Sequence, residues 1–311
     1  MSKAPEAPVA LIFGCGYLGR TLATRLLAGG IRVLGTTRSR EKGDSLAALG
    51  VEPLYASVTE KLTLAAALKP ALACEQLDVY YLLPPGRPTA DGPSPQEIVI
   101  GGAQNVQSLL DPSRVRRVVM TSSTGVYGQQ SGERVDADTP AEPSDERGHL
   151  LLEGEQVWLD SGFDVRVVRL AGLYGPGRVV GLQAVREGAP LVGDPDAWLN
   201  LIHIDDAAEL LLAVMHAKDA GRIELGSDGT PVRRIEYYEY LAKRLGAPPV
   251  RMMDASEAAV KFNIPAGRLT RASSKQCDNV TTCIRTGWLP RYPTFRDGLR
   301  AIAGGAGPQA E

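Results

Sequence analysis

Short apolar runs alternate with amphipathic segments of helical length through the first two thirds of the chain. The apolar runs are continuous rather than alternating in polarity, and they span residues 9–14, 31–37, 51–56, 77–83, 115–123 and 163–172. Continuous runs are typical of strands that are buried on both faces. Helix-period segments follow at 18–30, 40–50, 60–70, 96–111 and 150–162. Strands that alternate with helices predict a parallel sheet, and right-handed crossovers make it a doubly wound, Rossmann-type α/β fold.

The first predicted strand runs into a glycine-rich turn. Gly14, Gly16 and Gly19 have the spacing Gly-x-Gly-x-x-Gly and stand directly before the first predicted helix. In this context glycines permit a tight turn, let a pyrophosphate approach the backbone and let the helix pack closely on the strand. The helix N-terminus offers N–H groups to the anion. We therefore predict a dinucleotide site, which includes the intervening residues Cys15, Tyr17 and Leu18.

The end of the second strand indicates which dinucleotide to expect. A carboxylate about 20 residues beyond the glycines would bind the hydroxyls of the adenosine ribose. That place holds Thr37, followed by Arg38 and Ser39. A guanidinium with two neighbouring hydroxyls suits a 2′-phosphate instead. We expect NADP(H) in preference to NAD(H), with NAD(H) as the remaining alternative.

The pattern loosens after residue 172 into turns, short strands and two further amphipathic helices, at 205–221 and 233–247. We predict a dinucleotide-binding domain over 1–172, with its core from about residue 9. A small substrate-binding lobe over 173–304 is expected to interweave with the last strands of the sheet. The tail 305–311, GAGPQAE, is expected to be disordered.

The fifth strand ends in a cluster of hydroxyls, in the stretch TSSTGVYG at 121–128. Ligands of doubly wound sheets bind at the carboxyl ends of the strands. The stretch therefore predicts part of a pocket rather than only the polar end of a buried strand.

Four stretches taken together resemble the extended short-chain dehydrogenase/reductase family, the NAD(P)-dependent nucleotide-sugar epimerases and dehydratases. They are FGCGYLGR, TSSTGVYG, VVRLAGLYGPGR and LIHIDDAAELL, and the resemblance covers about residues 9–302. The glycine loop and the short length resemble the atypical branch of that family. The resemblance implies an NAD(P)-dependent oxidoreductase with a small-molecule substrate, a nucleotide-sugar being the class it suggests. It also implies cofactor contacts at Leu82, Leu83, Pro84, Ala171, Gly172 and Leu173.

The resemblance further implies a catalytic set of a Ser or Thr, a Tyr, and a Lys four residues after that Tyr. By its position before Tyr127, Ser123 matches the Ser or Thr that holds the substrate oxygen. Counting back from Glu155, Arg147 stands at the place of the tyrosine and Leu151 at that of the lysine. The usual Tyr-x-x-x-Lys pair is therefore expected to be missing.

No other alignment restores that pair. The chain has no tyrosine between positions 127 and 174 and no lysine between positions 69 and 218. Ser123 and Tyr127 are then the candidate catalytic residues, and His149 is a further candidate acid or base. Three interpretations stay open: an oxidoreductase with a replacement acid or base, a non-catalytic NADP(H)-binding redox sensor or regulator, and an interaction scaffold with a vestigial cofactor site.

Composition excludes several other classes. With 44% apolar residues, 23% charged residues and a net charge of −2, the chain gives no electrostatic reason to expect nucleic acid or a membrane as partner. The four cysteines and three histidines are scattered, so no metal site is expected. No apolar run has membrane-spanning length, and the start is typical of a short tail before a strand. We expect a cytoplasmic protein, either a monomer or a homodimer.

Overall fold

The computed structural model describes residues 8–86, 92–262 and 274–304. The strands in chain order, β1 to β15, are Val9–Phe13, Val33–Thr37, Glu52–Tyr55, Leu77–Tyr81, Val115–Ser123, Glu133–Val135, Val165–Leu170, Gly172–Tyr174, Leu191–Val192, Trp198–Leu199, Leu201–His203, Ile223–Gly226, Val232–Arg233, Met252–Met253 and Lys275–Cys277. The helices α1 to α12 are Tyr17–Ala28, Arg40–Ala47, Lys61–Ala67, Lys69–Leu72, Gly102–Leu109, Glu146–Leu159, Leu182–Arg186, Ile204–His216, Arg234–Leu245, Ala255–Phe262, Val280–Thr286 and Phe295–Gly304.

Seven strands form one parallel sheet in the order β12-β7-β5-β4-β1-β2-β3. Every pairing within it is parallel. The strand order reverses between β1 and β4, and at this switch point the carboxyl ends of the strands open a crevice. The predicted doubly wound Rossmann-type fold is confirmed, and each predicted strand lies within three residues of its observed bounds at either end.

Two apolar layers cover the sheet, one on each face. On one face α1 and α8 contribute Leu22, Ala207 and Leu211 to a buried cluster. On the other face the cluster includes Leu64, Val106 and Trp158, from α3, α5 and α6. Since β1, β2 and β4 are buried at every position, their continuous apolar runs are explained by burial on both sides.

A third apolar cluster belongs to the C-terminal part of the chain. It packs Tyr174, Leu201 and Tyr237 against Phe295 and Leu299. The same part of the chain also contributes β12 to the main sheet, next to β7. The boundary at 172 remains a prediction, and the tail 305–311 lies outside the described residues.

Candidate functional site

A cleft of about 930 Å³ lies at the carboxyl ends of the central strands. It is formed where β1, β2, β4, β5 and β7 end and where α6 begins. Every residue that the sequence predicted to bind the cofactor lines it: Gly14, Cys15, Gly16, Tyr17, Leu18, Gly19, Thr37, Arg38, Ser39, Leu82, Leu83, Pro84, Ala171, Gly172 and Leu173. Ser123 lines the same cleft, whereas Tyr127 is not among the lining residues.

The glycine loop has the shape of a phosphate cradle. Gly14 has φ +86°, and its N–H donates to Thr36 Oγ1 at 3.1 Å. A Cβ on Gly19 would lie 2.7 Å from the carbonyl oxygen of Gly14, so a side chain there is excluded. A Cβ on Gly16 would meet no atom within 4 Å and would enter the open cleft. The loop therefore leaves a space beside Gly16 in which a pyrophosphate can approach the backbone.

The start of α1 suits an anion. Its N-cap, Gly16, offers no side chain to the first N–H groups, and no acidic residue stands in the first turn. These N–H groups and the helix dipole therefore face the cleft without a competing carboxylate. Burial raises the pKa of the Cys15 thiol to about 12, so this side chain stays a neutral thiol in the loop. The residues fit the pyrophosphate of a dinucleotide.

At the end of β2, polar and cationic groups gather at the rim of the cleft. Ser39 caps α2 by accepting a hydrogen bond from the Lys42 N–H at 3.2 Å. Arg38 and Lys42 are exposed and line the cleft, whereas Arg40 does not line it. Sequence reasoning missed Lys42. Its position three residues after Ser39, in the first turn of the helix that Ser39 caps, was the signal that could have found it.

The hydroxyl of Ser123 lies at the end of β5 in a defined geometry. Its oxygen accepts a hydrogen bond from the Gly125 N–H at 3.1 Å. The O–H proton of Ser123 is therefore free to point toward an acceptor in the cleft. Thr121 and Ser122 line the cleft beside it. The hydroxyls of this stretch thus form part of the cleft wall.

The first turn of α6 approaches Ser123. Asp145 caps this helix by accepting a hydrogen bond from the Gly148 N–H at 2.7 Å, so the helix begins at Glu146, four residues before its predicted start. Arg147 and Leu151 then lie one turn apart on the side that lines the cleft. The two residues that sequence reasoning placed at the tyrosine and lysine positions therefore both face the site.

Tyr127 lies away from the cleft. Its side chain is 1% exposed, and its hydroxyl donates to the carbonyl oxygen of Asp136 at 2.8 Å. Its own carbonyl oxygen accepts a hydrogen bond from Lys275 Nζ at 2.7 Å. Burial raises the pKa of the Tyr127 phenol to about 12, which disfavours a phenolate at neutral pH. This geometry fits a packing role for Tyr127 and argues against proton transfer by it.

His149 is exposed and is not among the residues that line the cleft. It follows Arg147 by two positions on α6, and residues two apart on a helix do not share a face. The geometry therefore gives no support to His149 as the replacement acid or base.

The sequence profile of the NAD dependent epimerase/dehydratase family matches residues 10–226. This match spans more than half of the chain and includes the glycine loop, the Ser123 stretch and the strand pairs that form the cleft. The chain belongs to the NAD dependent epimerase/dehydratase family. The resemblance inferred from the sequence motifs is confirmed.

Several known proteins are similar to this chain over most of its length. Protein YeeZ of Escherichia coli is 29% identical over 296 residues, which cover 91% of this chain and 95% of that protein. The 3-diazoavenalumate denitrifying reductase of a Streptomyces species is 25% identical over 302 residues and covers 88% and 98% of the two chains. The Bordetella bronchiseptica enzyme WbmG, solved with NAD and UDP, shares the fold at a TM-score of 0.76 and 19% identity, over 96% and 94% of the chains.

Two further features of this family member concern membrane helices and metal ligands. Within residues 8–86, 92–262 and 274–304, no helix is both long and apolar enough to cross a membrane. Among the same residues, no three His, Cys, Asp or Glu side chains are arranged to hold a metal ion.

Proposed function

We propose that this family member is an NADP(H)-dependent oxidoreductase that interconverts a carbonyl and a hydroxyl group on a small molecule. The observation that supports it most directly is that the free O–H of Ser123 lines the same cleft as the glycine loop and Arg38. The cofactor, when bound, supplies or accepts the hydride. In the reducing direction a carbonyl, NADPH and a proton give an alcohol and NADP⁺.

The cofactor-binding roles follow from the chemistry of each group. The N–H groups at the start of α1 and the space beside Gly16 hold the pyrophosphate. Arg38 and Lys42, with the hydroxyls of Thr37 and Ser39, hold the 2′-phosphate. This exposed guanidinium and ammonium line the cleft, and no carboxylate is among the described residues that line it; this is the reason to prefer NADP(H) over NAD(H).

Ser123 is the proposed contact to the reacting oxygen of the substrate. Because its oxygen already accepts the Gly125 N–H, the hydroxyl can donate a hydrogen bond to the substrate carbonyl. That donation becomes stronger as negative charge develops on the oxygen during hydride transfer. Tyr127 takes no part in this proposal, because its hydroxyl is bonded to a backbone carbonyl outside the cleft.

Arg147 does not replace a tyrosine as an acid. A guanidinium keeps its proton at any pH at which the protein is folded, so it can stabilise charge but cannot exchange a proton. Leu151, at the place of the lysine, has no ionisable group. Water must therefore exchange the proton with the reacting oxygen of the substrate. This observation favours the second candidate function, an NADP(H)-binding redox sensor without catalysis.

Names of relatives lend support of different weight. The Streptomyces relative is named a reductase, which supports redox chemistry, and WbmG, a more distant relative by sequence, was solved with NAD. Whether the substrate is a nucleotide-sugar, and whether the protein is a monomer or a homodimer, stay predictions.

Cofactor titration followed by single-turnover kinetics tests the proposal. NADPH fluorescence should show tighter binding than NADH, and a carbonyl panel should then reveal oxidation of bound NADPH. Ser123→Ala should keep NADPH affinity and slow this oxidation roughly 100-fold, by loss of one donor to the developing oxyanion. Ser123→Thr, which keeps the hydroxyl, is the matched control.

The two candidate functions give different results. Tight NADPH binding with no oxidation by any carbonyl compound would favour the sensor. Equal affinity for the two dinucleotides would contradict the NADP(H) preference, and absence of binding would remove both candidates.

A further inference from the structure

The cleft carries positive charge at more than one place. Four cationic side chains of the described residues line it: Arg38 and Lys42 beside β2, and Arg147 and Arg178 beside the strand ends of β5 and β8. Among the described residues that line the cleft, none is an aspartate or a glutamate. The net charge of the whole chain is −2, so this concentration of cations is local. Arg38 and Lys42 are proposed to bind the 2′-phosphate of the cofactor. That proposal gives Arg147 and Arg178 no ligand.

Arg147 stands at the reacting end of the cleft. It lies on the first turn of α6, one helical turn from Leu151, and shares the cleft with Ser123. Within the described part of the chain its guanidinium forms no ion pair. The nearby Asp145 carboxylate is instead used by the Gly148 N–H, at 2.7 Å. A cation in this place therefore keeps its capacity to bind an anion.

Arg178 is held at the cleft by a tight turn after β8. Gly175 and Arg178 exchange backbone hydrogen bonds of 2.9 and 3.0 Å, with Gly177 in the left-handed region at φ +74°. Tyr17 Oη donates to the carbonyl oxygen of Pro176 at 3.0 Å, which ties this turn to the glycine loop. The Arg178 guanidinium carbon lies 5.8 Å from the centre of the Tyr17 ring. Its side chain makes no ion pair with any described residue.

We propose that Arg147 and Arg178 bind a carboxylate or phosphate group of the substrate, so that the substrate is an anionic carbonyl compound. This inference rests on the proposed oxidoreductase function and narrows its substrate class. A guanidinium matches the two oxygens of either anion with two parallel hydrogen bonds. Because no carboxylate is among the described residues that line the cleft, none of these residues presents a negative charge that would repel an incoming anion. A neutral analogue would leave both cations without a partner.

Binding to the NADP⁺ complex of the full-length chain tests this without turnover. Two matched pairs of probes serve: 4-oxopentanoate against 2-pentanone, and dihydroxyacetone phosphate against dihydroxyacetone. Calorimetry should show that a charged member binds at least about tenfold more tightly than its neutral partner, since a charge-assisted hydrogen bond contributes that much. Whichever pair shows the larger ratio identifies the anion as carboxylate or phosphate.

Variants test whether the two arginines cause the difference in affinity between charged and neutral probes. Arg147→Gln and Arg178→Gln should each reduce the charged-to-neutral ratio roughly 10- to 100-fold. Arg147→Lys, which keeps the charge and loses the paired geometry, should fall between Arg147→Gln and the parent protein. Arg186→Gln is the control, because Arg186 is exposed on α7 and does not line the cleft. NADPH affinity should remain unchanged in all four variants.

Several results would overturn the inference. Equal binding of charged and neutral probes, no binding of any probe, or discrimination that survives both glutamine variants would each do so. A parallel loss of NADPH affinity in Arg147→Gln or Arg178→Gln would show that the arginine serves the cofactor. If NADPH does not bind to the parent protein, the proposed function fails, and the same probes on the unliganded chain still test the anion site.

Discussion

Glu155 and Arg169 form an ion pair that is almost completely removed from solvent, with 0% and 6% of the two side chains exposed. Arg169 Nη2 donates to Glu155 Oε2 at 2.7 Å, and Nε donates to both carboxylate oxygens at 3.2 Å. The guanidinium carbon also lies 4.9 Å from the centre of the Tyr127 ring. The pair joins α6, which carries Arg147, to β7, which ends at the cleft. It therefore fixes one wall of the candidate site to the sheet.

Glu155→Gln should lower the free energy of unfolding by about 3–5 kcal/mol, because it leaves the Arg169 guanidinium buried without a counter-charge. Urea unfolding measures this. The matched control is Glu153→Gln, an exposed glutamate on the same helix, for which the change should stay within about 0.5 kcal/mol.

A double variant tests whether the loss of stability comes from leaving one charge buried without its partner. Glu155→Leu combined with Arg169→Met removes both charges and should recover most of the lost stability, since apolar residues can replace a buried pair. If Glu155→Gln and Glu153→Gln destabilise the protein equally, the ion pair does not hold α6 in place.

The fold was predictable because its strongest signals are local. Continuous apolar runs such as Val9–Phe13 occur where a strand is covered on both faces, and the helices between them repeat with the helical period. The glycine loop adds a backbone requirement that few other folds share. These signals need no knowledge of distant contacts. They therefore also identified residues that line one cleft.

The direction of the Tyr127 side chain could not be predicted from the local sequence. Sequence proximity to Ser123 suggested a shared site, but the 3-10 helix Thr124–Val126 separates Tyr127 from the end of β5. The Tyr127 hydroxyl consequently meets the Asp136 carbonyl rather than the cleft. The direction of a side chain after such a turn depends on tertiary packing. The sequence pattern alone does not predict this direction.

The start of α6 was missed for a related reason. Its first turn, Glu-Arg-Gly-His, is polar and shows no apolar period, so periodicity placed the start at residue 150. The cap at Asp145 moves it to Glu146. An Asp followed by a polar turn is a capping signal that could have been used.

Asp228 gives a prediction about pH. Burial raises the pKa of this carboxyl well above its usual value, and the nearby Asp206 and Asp297 carboxylates raise it further. One oxygen accepts the Thr230 N–H at 3.0 Å, and the other is buried with no partner among the described residues. In the native protein Asp228 therefore stays protonated at pH values at which the unfolded chain has already lost that proton.

The sign of the effect follows from proton counts. Above the ordinary aspartate pKa the native state binds more protons at this site, so stability falls as pH rises toward the raised pKa. Asp228→Asn keeps the shape of the neutral acid and removes this dependence. Unfolding free energies from pH 4 to 8 should show the parent losing stability relative to the variant. Parallel curves would mean that Asp228 ionises normally in the native state.

A substitution at Gly16 should lower the affinity for NADPH while leaving the stability of the fold nearly unchanged. A Cβ at this position would meet no atom within 4 Å, so Gly16→Ala should change stability by no more than about 1 kcal/mol. The methyl group would nevertheless occupy the space for the pyrophosphate, and NADPH affinity should fall at least about tenfold. Gly19→Ala is the contrast: its Cβ would lie 2.7 Å from the Gly14 oxygen, and crowding should lower stability by about 1–3 kcal/mol. NADPH titration and urea unfolding of both variants check this.

Arg38 and Lys42 should decide between the two dinucleotides. Arg38→Gln and Lys42→Gln each remove one cation from the proposed 2′-phosphate site, so NADPH affinity should fall roughly 10- to 100-fold. NADH affinity should stay constant, because NADH has no phosphate there. Arg40→Gln is the matched control, since Arg40 is exposed beside them and does not line the cleft. Raising the salt concentration should weaken the preference of the parent protein for NADPH, because these charges are exposed. Equal losses for NADPH and NADH would place both cations at a part of the cofactor that the two dinucleotides share.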